Sequence, residues 1–172
     1  MNSPSTAVCI RRMSPADLDR VLEIAARLKP ASQWPRSAYL AALDSEAAPR
    51  RIALVAETSE TEASAATDRS SSPAGRLVAG FIVASLLPPQ SELEIIAVAP
   101  QFQRRGLARR LFTALAAELR TGQPVDLLLE LRASNLPALA FYRSLGFTET
   151  GRRPRYYHDP IEDALQMRRR LE

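Results

Sequence analysis

Apolar side chains recur along this chain at two periods, and the switches between them mark out the elements. Leu18, Val21, Leu22, Ala25 and Leu28 fall three and four residues apart, the spacing of one helical face. Ser14-Pro15-Ala16-Asp17 just upstream offers an N-cap, a proline at the first helical position and an acid in the first turn, and Pro30 supplies a stop. A second stripe, Leu107, Leu111, Ala114, Leu115 and Leu119, ends at Gly122 and Pro124. Shorter helices are predicted from about Arg36 to Ala47, introduced by Trp34-Pro35, and from Asn135 to Leu145, closed by Gly146. The other apolar runs read as strands: Ala7–Arg12, Arg51–Glu57, Arg76–Leu86 with Gly80 as a candidate bulge, Leu93–Val98, Val125–Leu131, Phe147–Thr150 and Ile161–Arg169.

The order strand, two helices, three strands, helix, strand, helix, two strands calls for an α/β fold: a mixed sheet with helices on both faces. Thr58 to Gly75 holds Ser, Thr, Ala, Glu and Asp with almost nothing to bury, so a flexible loop between two strands is expected there. With 172 residues and 46% hydrophobic content, the chain suffices for one domain over residues 1–172 with a real core.

Composition narrows the chemistry. A single cysteine, Cys9, excludes an intrachain disulfide and reads as a core residue, and one Cys with one His makes a structural metal site unexpected. No apolar run is long enough to span a membrane, and Met1 to Ala7 has no signal-like character, so a cytoplasmic protein is expected. The net charge is +4 and Lys29 is the one lysine among 23 basic residues, a bias of composition and not a nucleic-acid signature. A nucleic-acid binder would need stacking aromatics, which make up only 6% of the chain. The arginines at 168 to 170 read as a solvated strand end.

One basic cluster stands out. Arg104, Arg105, Arg109 and Arg110 crowd the start of the Leu107–Leu119 helix, where the helix dipole repels cations unless an anion sits among them. The segment is strand, glycine-bearing turn and helix, with Gly106 and Ala108 leaving room for backbone N–H groups to converge on a phosphate. An ordinary turn with a solvated basic face is the other reading. Neither G-x-x-x-x-G-K-[ST] nor G-x-G-x-x-G occurs, so the usual ATP and NAD loops are not indicated.

A second set of candidates lies further on. Glu130 interrupts the apolar run Val125–Leu131 with Arg132 as its evident charge partner, and a buried, unpaired carboxylate suits a general base; a strand-end glutamate reaching solvent or pairing with Arg132 is equally open. Asn135 reads as an N-cap, and Tyr142 as either core packing or a phenolic acid. Tyr156-Tyr157-His158 forms an aromatic, basic loop between the last two strands, with the sole histidine in a surface role.

Together these residues resemble the GNAT superfamily of acyl-CoA-dependent N-acetyltransferases. Gln103-x-x-Gly106-x-Ala108 is similar to that family's pyrophosphate motif. More narrowly, Ile96-Ala97-Val98, Gln103–Ala108, Leu129–Asn135, Phe141–Phe147, Tyr156-Tyr157 and Glu162-Asp163-Ala164 resemble the RimI type, which acetylates the N-terminal alanine of a small-subunit ribosomal protein. The likeness runs from about Leu93 to Met167, with Trp34 the main landmark before it.

The resemblance implies a mixed, mostly antiparallel sheet of about seven strands flanked by four helices, splayed open beside the cofactor. It implies acetyl-CoA as the acetyl donor, with the backbone of Ile96, Ala97 and Val98 along the pantetheine arm. Arg104, Arg105, Gly106, Leu107, Ala108 and Arg109 would surround the pyrophosphate, and Asn135 would touch the cofactor. Glu130 is then the base, Tyr142 the acid, and the acceptor a peptide or protein N-terminus, a ribosomal protein first; neither nucleic acid nor membrane is implied, and a monomer suffices. Ile95 stands where such chains often carry Asn, and the 58–75 segment has no counterpart in compact members. A small-molecule amine as acceptor and a CoA-binding regulatory module without turnover are the alternatives.

Overall fold

The structure, a computed structural model, describes residues 8–28, 34–59, 76–87, 89–120 and 124–172. In chain order the elements are β1 (Cys9–Arg12), a 3-10 turn at Pro15–Asp17, α1 (Leu18–Ala25), α2 (Arg36–Leu43), β2 (Arg50–Ser59), β3 (Arg76–Leu87), β4 (Gln90–Val98), a 3-10 turn at Pro100–Phe102, α3 (Leu107–Leu119), β5 (Val125–Arg132), α4 (Leu136–Ser144), β6 (Thr148–His158) and β7 (Ile161–Leu171). Seven strands form one sheet in the order β1-β2-β3-β4-β5-β7-β6. Every neighbouring pair is antiparallel except β4 and β5. The mixed α/β architecture expected from the element order is therefore present.

Burial explains the layering. Successive β3 residues from Val78 to Ser85 are all buried, so both faces of the sheet are covered at its centre. Tyr39 of α2 meets Phe81 edge-on at 5.8 Å, and α3 buries Leu107, Leu111, Phe112, Leu115 and Leu119. Cys9, expected in the core, is only half-buried because β1 is an edge strand. The bulge expected near Gly80 falls beside it: Ala56 pairs with Gly80 and Glu57 with Val78, leaving Ala79 as the extra residue. Gly80 itself answers to a close approach, since a Cβ there would lie 2.7 Å from the Ala97 carbonyl oxygen of β4.

Several boundaries differ from the sequence reading, among them β4, which begins at Gln90 and not Leu93. α1 ends at Ala25, so Leu28 packs against the core from the turn that follows; the proposed stop at Pro30 lies outside the described residues, as do Lys29, Gly122 and residues 60–75 of the expected loop. α2 ends at Leu43, four residues early, because Asp44 turns extended and its side chain accepts from Glu46 N at 2.9 Å. The largest difference is β6, which continues through the stretch expected to be an aromatic loop and ends at His158.

A buried charge network joins β1 to the first turn. Asp17 accepts from both Arg11 terminal nitrogens at 2.8 and 2.7 Å and from Ser14 N at 2.7 Å, while Arg11 also reaches Glu57. Burial alone would push the Asp17 carboxyl up, but the Arg11 and Ser14 donors outweigh it and hold it below the ordinary aspartate value. A lowered folded-state value adds stability above the unfolded value of about 3.9 that disappears as pH falls through the folded one. Asp17→Asn is therefore expected to lose about 1 to 3 kcal/mol at pH 7, and its urea midpoint should fall less than the wild type's between neutral pH and pH 3. Parallel acid dependence in the two proteins would show that other carboxylates control acid unfolding.

Candidate active site

The cleft arises where two parallel strands part. β4 and β5 pair only over Gln90–Glu92 with Asp126–Leu128. Beyond that point β4 keeps its ladder to β3 as far as Val98, and β5 keeps its ladder to β7 as far as Arg132. A bulge at Glu94 steepens the divergence: Ala84 pairs with Leu93 and Val83 with Ile95, so Glu94 has no partner of its own. Between the walls lies a cavity of about 720 Å³ lined by the end of β4, the start of α3, the end of β5 and α4.

The β4 wall leads into the basic turn. Ile96, Ala97 and Val98 all line the cavity, and Gln103 Nε2 donates to the Val98 carbonyl at 3.0 Å, folding the turn back onto the strand. Arg104 and Gly106 both adopt left-handed backbone, φ 62° and 79°. The positive φ is what demands glycine at 106; a Cβ there would meet nothing within 4 Å, so the space in front of the turn is open. The first backbone bond of α3 joins Arg110 N to Gly106 O, and the amides of the first turn, including Leu107, Ala108 and Arg109, have no acceptor within the helix. This is a donor-rich terminus facing open space.

The four arginines do not act as one cluster. Arg104 and Arg109 line the cavity, and Arg109 also donates to Ser144 Oγ at 2.9 Å. Arg105 instead lies over the Phe102 ring at 5.8 Å, and Arg110 reaches the Val8 carbonyl at 2.8 Å. On the opposite wall Asn135 lines the cavity while its Oδ1 accepts from Ala138 N at 3.3 Å, so the N-cap reading holds.

Glu130 also lines the cavity, but it is not isolated and its partner is not Arg132. Arg153 of β6 reaches both carboxylate oxygens at 3.1 and 3.2 Å, and Gln166 of β7 donates to one at 3.0 Å. The β5 register places Gln166 directly opposite Glu130, and the extended β6 brings Arg153 alongside. Arg132 turns away, to the Asp159 and Pro160 carbonyls and Glu162. Two further carboxylates sit nearby: Glu94, held bidentate by Arg51 at 2.8 and 3.0 Å, and Glu92. The protein around Glu92 first, and then the charges of Glu94 and Glu130, hold its carboxyl above the ordinary value although the side chain remains exposed. The landmark Trp34 has its ring 5.6 Å from the Arg51 guanidinium carbon.

Tyr142 reaches the cavity from α4 and is almost fully buried, its ring 5.4 Å from Phe141 and 5.5 Å from Phe147. Burial pushes its hydroxyl above the ordinary phenol value, so it keeps its proton at neutral pH. Tyr157 lines the cavity from β6, whereas His158 is exposed at the end of that strand. The structure thus brings Glu130, Tyr142, Asn135 and the Arg104–Arg109 turn to one cleft with Glu94, and adds Arg153, Gln166 and Arg51 as partners of the two carboxylates, pairings that no local sequence signal marked. Among the described residues no group of three or more potential metal ligands comes together, and no helix is long and apolar enough to cross a membrane.

Comparison with known proteins bears on this geometry. The chain is 48% identical over 92 residues to the [ribosomal protein bS18]-alanine N-acetyltransferase of Salmonella typhimurium, covering 52% of this chain and 62% of that protein. It is 44% identical over 82 residues to the N-alpha-acetyltransferase RimI of Mycobacterium tuberculosis, covering 48% of this chain and 50% of that protein. These matches span about half to three-fifths of the relatives' length. The crystal structure of the ribosomal-protein-S18-alanine N-acetyltransferase from Escherichia coli superposes with a TM-score of 0.72 at 29% identity, over 96% of this chain and 95% of that one. The sequence profile of the acetyltransferase (GNAT) family matches residues 18–147, and the chain belongs to that family.

Proposed function

We propose that the protein transfers acetyl from acetyl-CoA to the α-amine of a protein N-terminus, with the N-terminal alanine of a small-subunit ribosomal protein as the leading acceptor. The observation that carries this reading is the parting of β4 from β5, which sets a donor-rich helix terminus on one wall and Glu130 with Tyr142 on the other. The names of the two relatives and of the structural neighbour support the acceptor class.

Each residue then has a task. The first-turn amides of α3 with Arg104 and Arg109 hold the pyrophosphate, and the unpaired edge of β4 at Ile96, Ala97 and Val98 offers backbone groups to the amides of the pantetheine arm. Arg105, turned onto Phe102, contributes charge from outside the cavity, and Asn135 caps α4 beside the arm. Glu130 takes the proton that the acceptor amine loses, through a water, since Arg153 and Gln166 already occupy its oxygens. The neutral amine attacks the thioester carbon, the carbon–sulfur bond breaks, and Tyr142 gives its proton to the departing thiolate. The Val98 amide is the candidate donor to the oxyanion. We place this reaction in the cytoplasm, within a single domain.

Mass spectrometry of peptides incubated with the protein and acetyl-CoA tests the assignment. Peptides headed by alanine are expected to gain one acetyl group at the N-terminus, ahead of a polyamine or free amino acids. Transfer only to the small amines would change the acceptor class; CoA binding without any transfer would leave a regulatory module.

A further inference from the structure

Arg132 lies on β5 two positions after Glu130 and lines the cavity, yet it is only 6% exposed and its hydrogen bonds lead away from the reacting groups. Nη1 donates to the Pro160 carbonyl at 3.3 Å and to Glu162 at 3.1 Å, and Nη2 to the Asp159 carbonyl at 2.8 Å. All three acceptors belong to the turn between β6 and β7 or to the residue just after its first position on β7. The guanidinium carbon also sits 4.2 Å from the centre of the Tyr157 ring. A planar fork that binds three oxygens while its face covers an aromatic ring is a task for arginine, which lysine cannot repeat.

The contacts continue and close on themselves. Tyr157 meets Tyr156 edge-on at 5.1 Å, and the Arg153 guanidinium lies 3.9 Å from the Tyr156 ring. Arg153 pairs with Glu130, which returns the path to β5 two residues before Arg132. Glu162, held by Arg132 through one oxygen, accepts from Ser134 N through the other. One buried side chain thus ties the β6–β7 turn to the strand that carries Glu130.

A buried ion pair is often no more stabilising than a well-packed apolar substitute, so the bonding of Arg132 is better explained by the geometry it enforces. We propose that Arg132 is a positioning residue of the acceptor wall: it fixes the β6–β7 turn beyond the end of β5 and the Tyr157 ring, which lines the same cavity as Glu130, and so shapes the side of the cleft on which the acceptor amine meets Glu130, without touching the reacting atoms. The inference rests on the acetyl-transfer reading above. It separates the two substrates, because the turn that faces the cofactor's phosphates lies on the other wall of the cleft.

Steady-state kinetics with acetyl-CoA and a short synthetic peptide headed by alanine test the proposal in Arg132→Met, Arg132→Lys and Tyr157→Leu, with CoA binding followed by calorimetry. In Arg132→Met the peptide KM is expected to rise at least about tenfold, the scale of a lost desolvated cation–π contact, while CoA affinity and kcat at saturating peptide stay within about threefold. Arg132→Lys should follow Met and not the wild type. A merely structural role would instead lower kcat, CoA affinity and thermal midpoint together. If Arg132→Met does not fold, Tyr157→Leu carries the test, since it leaves the three Arg132 hydrogen bonds in place and removes only the ring; the same rise in peptide KM is expected. An unchanged peptide KM in the folded variant overturns the proposal. Wild-type protein that acetylates no peptide would overturn the acetyl-transfer reading as well, so the two failures are distinct.

Discussion

Glu130→Gln is expected to slow acetyl transfer at neutral pH by about 100- to 10,000-fold, the range of general acid–base contributions, while CoA affinity is kept. The substitution preserves shape and one acceptor oxygen for Arg153 or Gln166 but removes the group that takes the proton. Raising the pH supplies a neutral amine without any base, so the defect should shrink as pH approaches about 8, the ordinary value of an α-amine. A pH–rate series on both proteins measures this. A large loss that does not recover with pH would assign Glu130 to holding the acceptor. Full activity at pH 7 would transfer the base role to the preceding strand, to Glu94, which lines the cavity, or to Glu92, which its surroundings hold above the ordinary range.

Tyr142→Phe should lower kcat by a factor towards the lower end of the same range, about 100-fold, because the CoA thiolate is a fair leaving group even without a proton. The ring is packed between Phe141 and Phe147, and phenylalanine keeps those contacts, so the change isolates the hydroxyl. CoA affinity and the thermal midpoint are expected to hold. Turnover equal to wild type in rapid-quench experiments would make Tyr142 a packing residue.

What the chain announces and what it hides divide along physical lines. α3 was legible because five apolar residues at helical spacing face one core, and the basic turn before it because cations at a helix start conflict with the dipole. Glu130 and Tyr142 were picked out by local contrast, a charge in an apolar strand and a hydroxyl on a short helix. β6 was mostly missed because as an edge strand it is exposed along nearly its whole length, and period-two alternation is the signal a strand emits only when one face is buried. With β6 went Arg153, since a loop predicts no register. The partners of Glu130 come from residues 23 and 36 positions away, a pairing set by strand order and not by any local pattern. The parting of β4 from β5 was equally silent: Val125–Arg132 is an apolar run whether its neighbour stays or leaves, and the opening was implied only by the family resemblance.

The place of β7 in the sheet has a consequence for the time at which activity can arise during synthesis. β7 follows every other described strand in chain order, yet it lies between β5 and β6. Until it emerges, β6 has nothing to pair with and β5 has a bare edge along its far side, so the cleft has one wall and half of another. β7 also brings Gln166 to Glu130 and Glu162 to Arg132. Such a topology defers its long-range closure to the last step and leaves earlier intermediates with exposed strand edges. A nascent chain lacking these eleven residues has the phosphate-binding turn but no acceptor side, so it should hold CoA weakly at most and modify nothing.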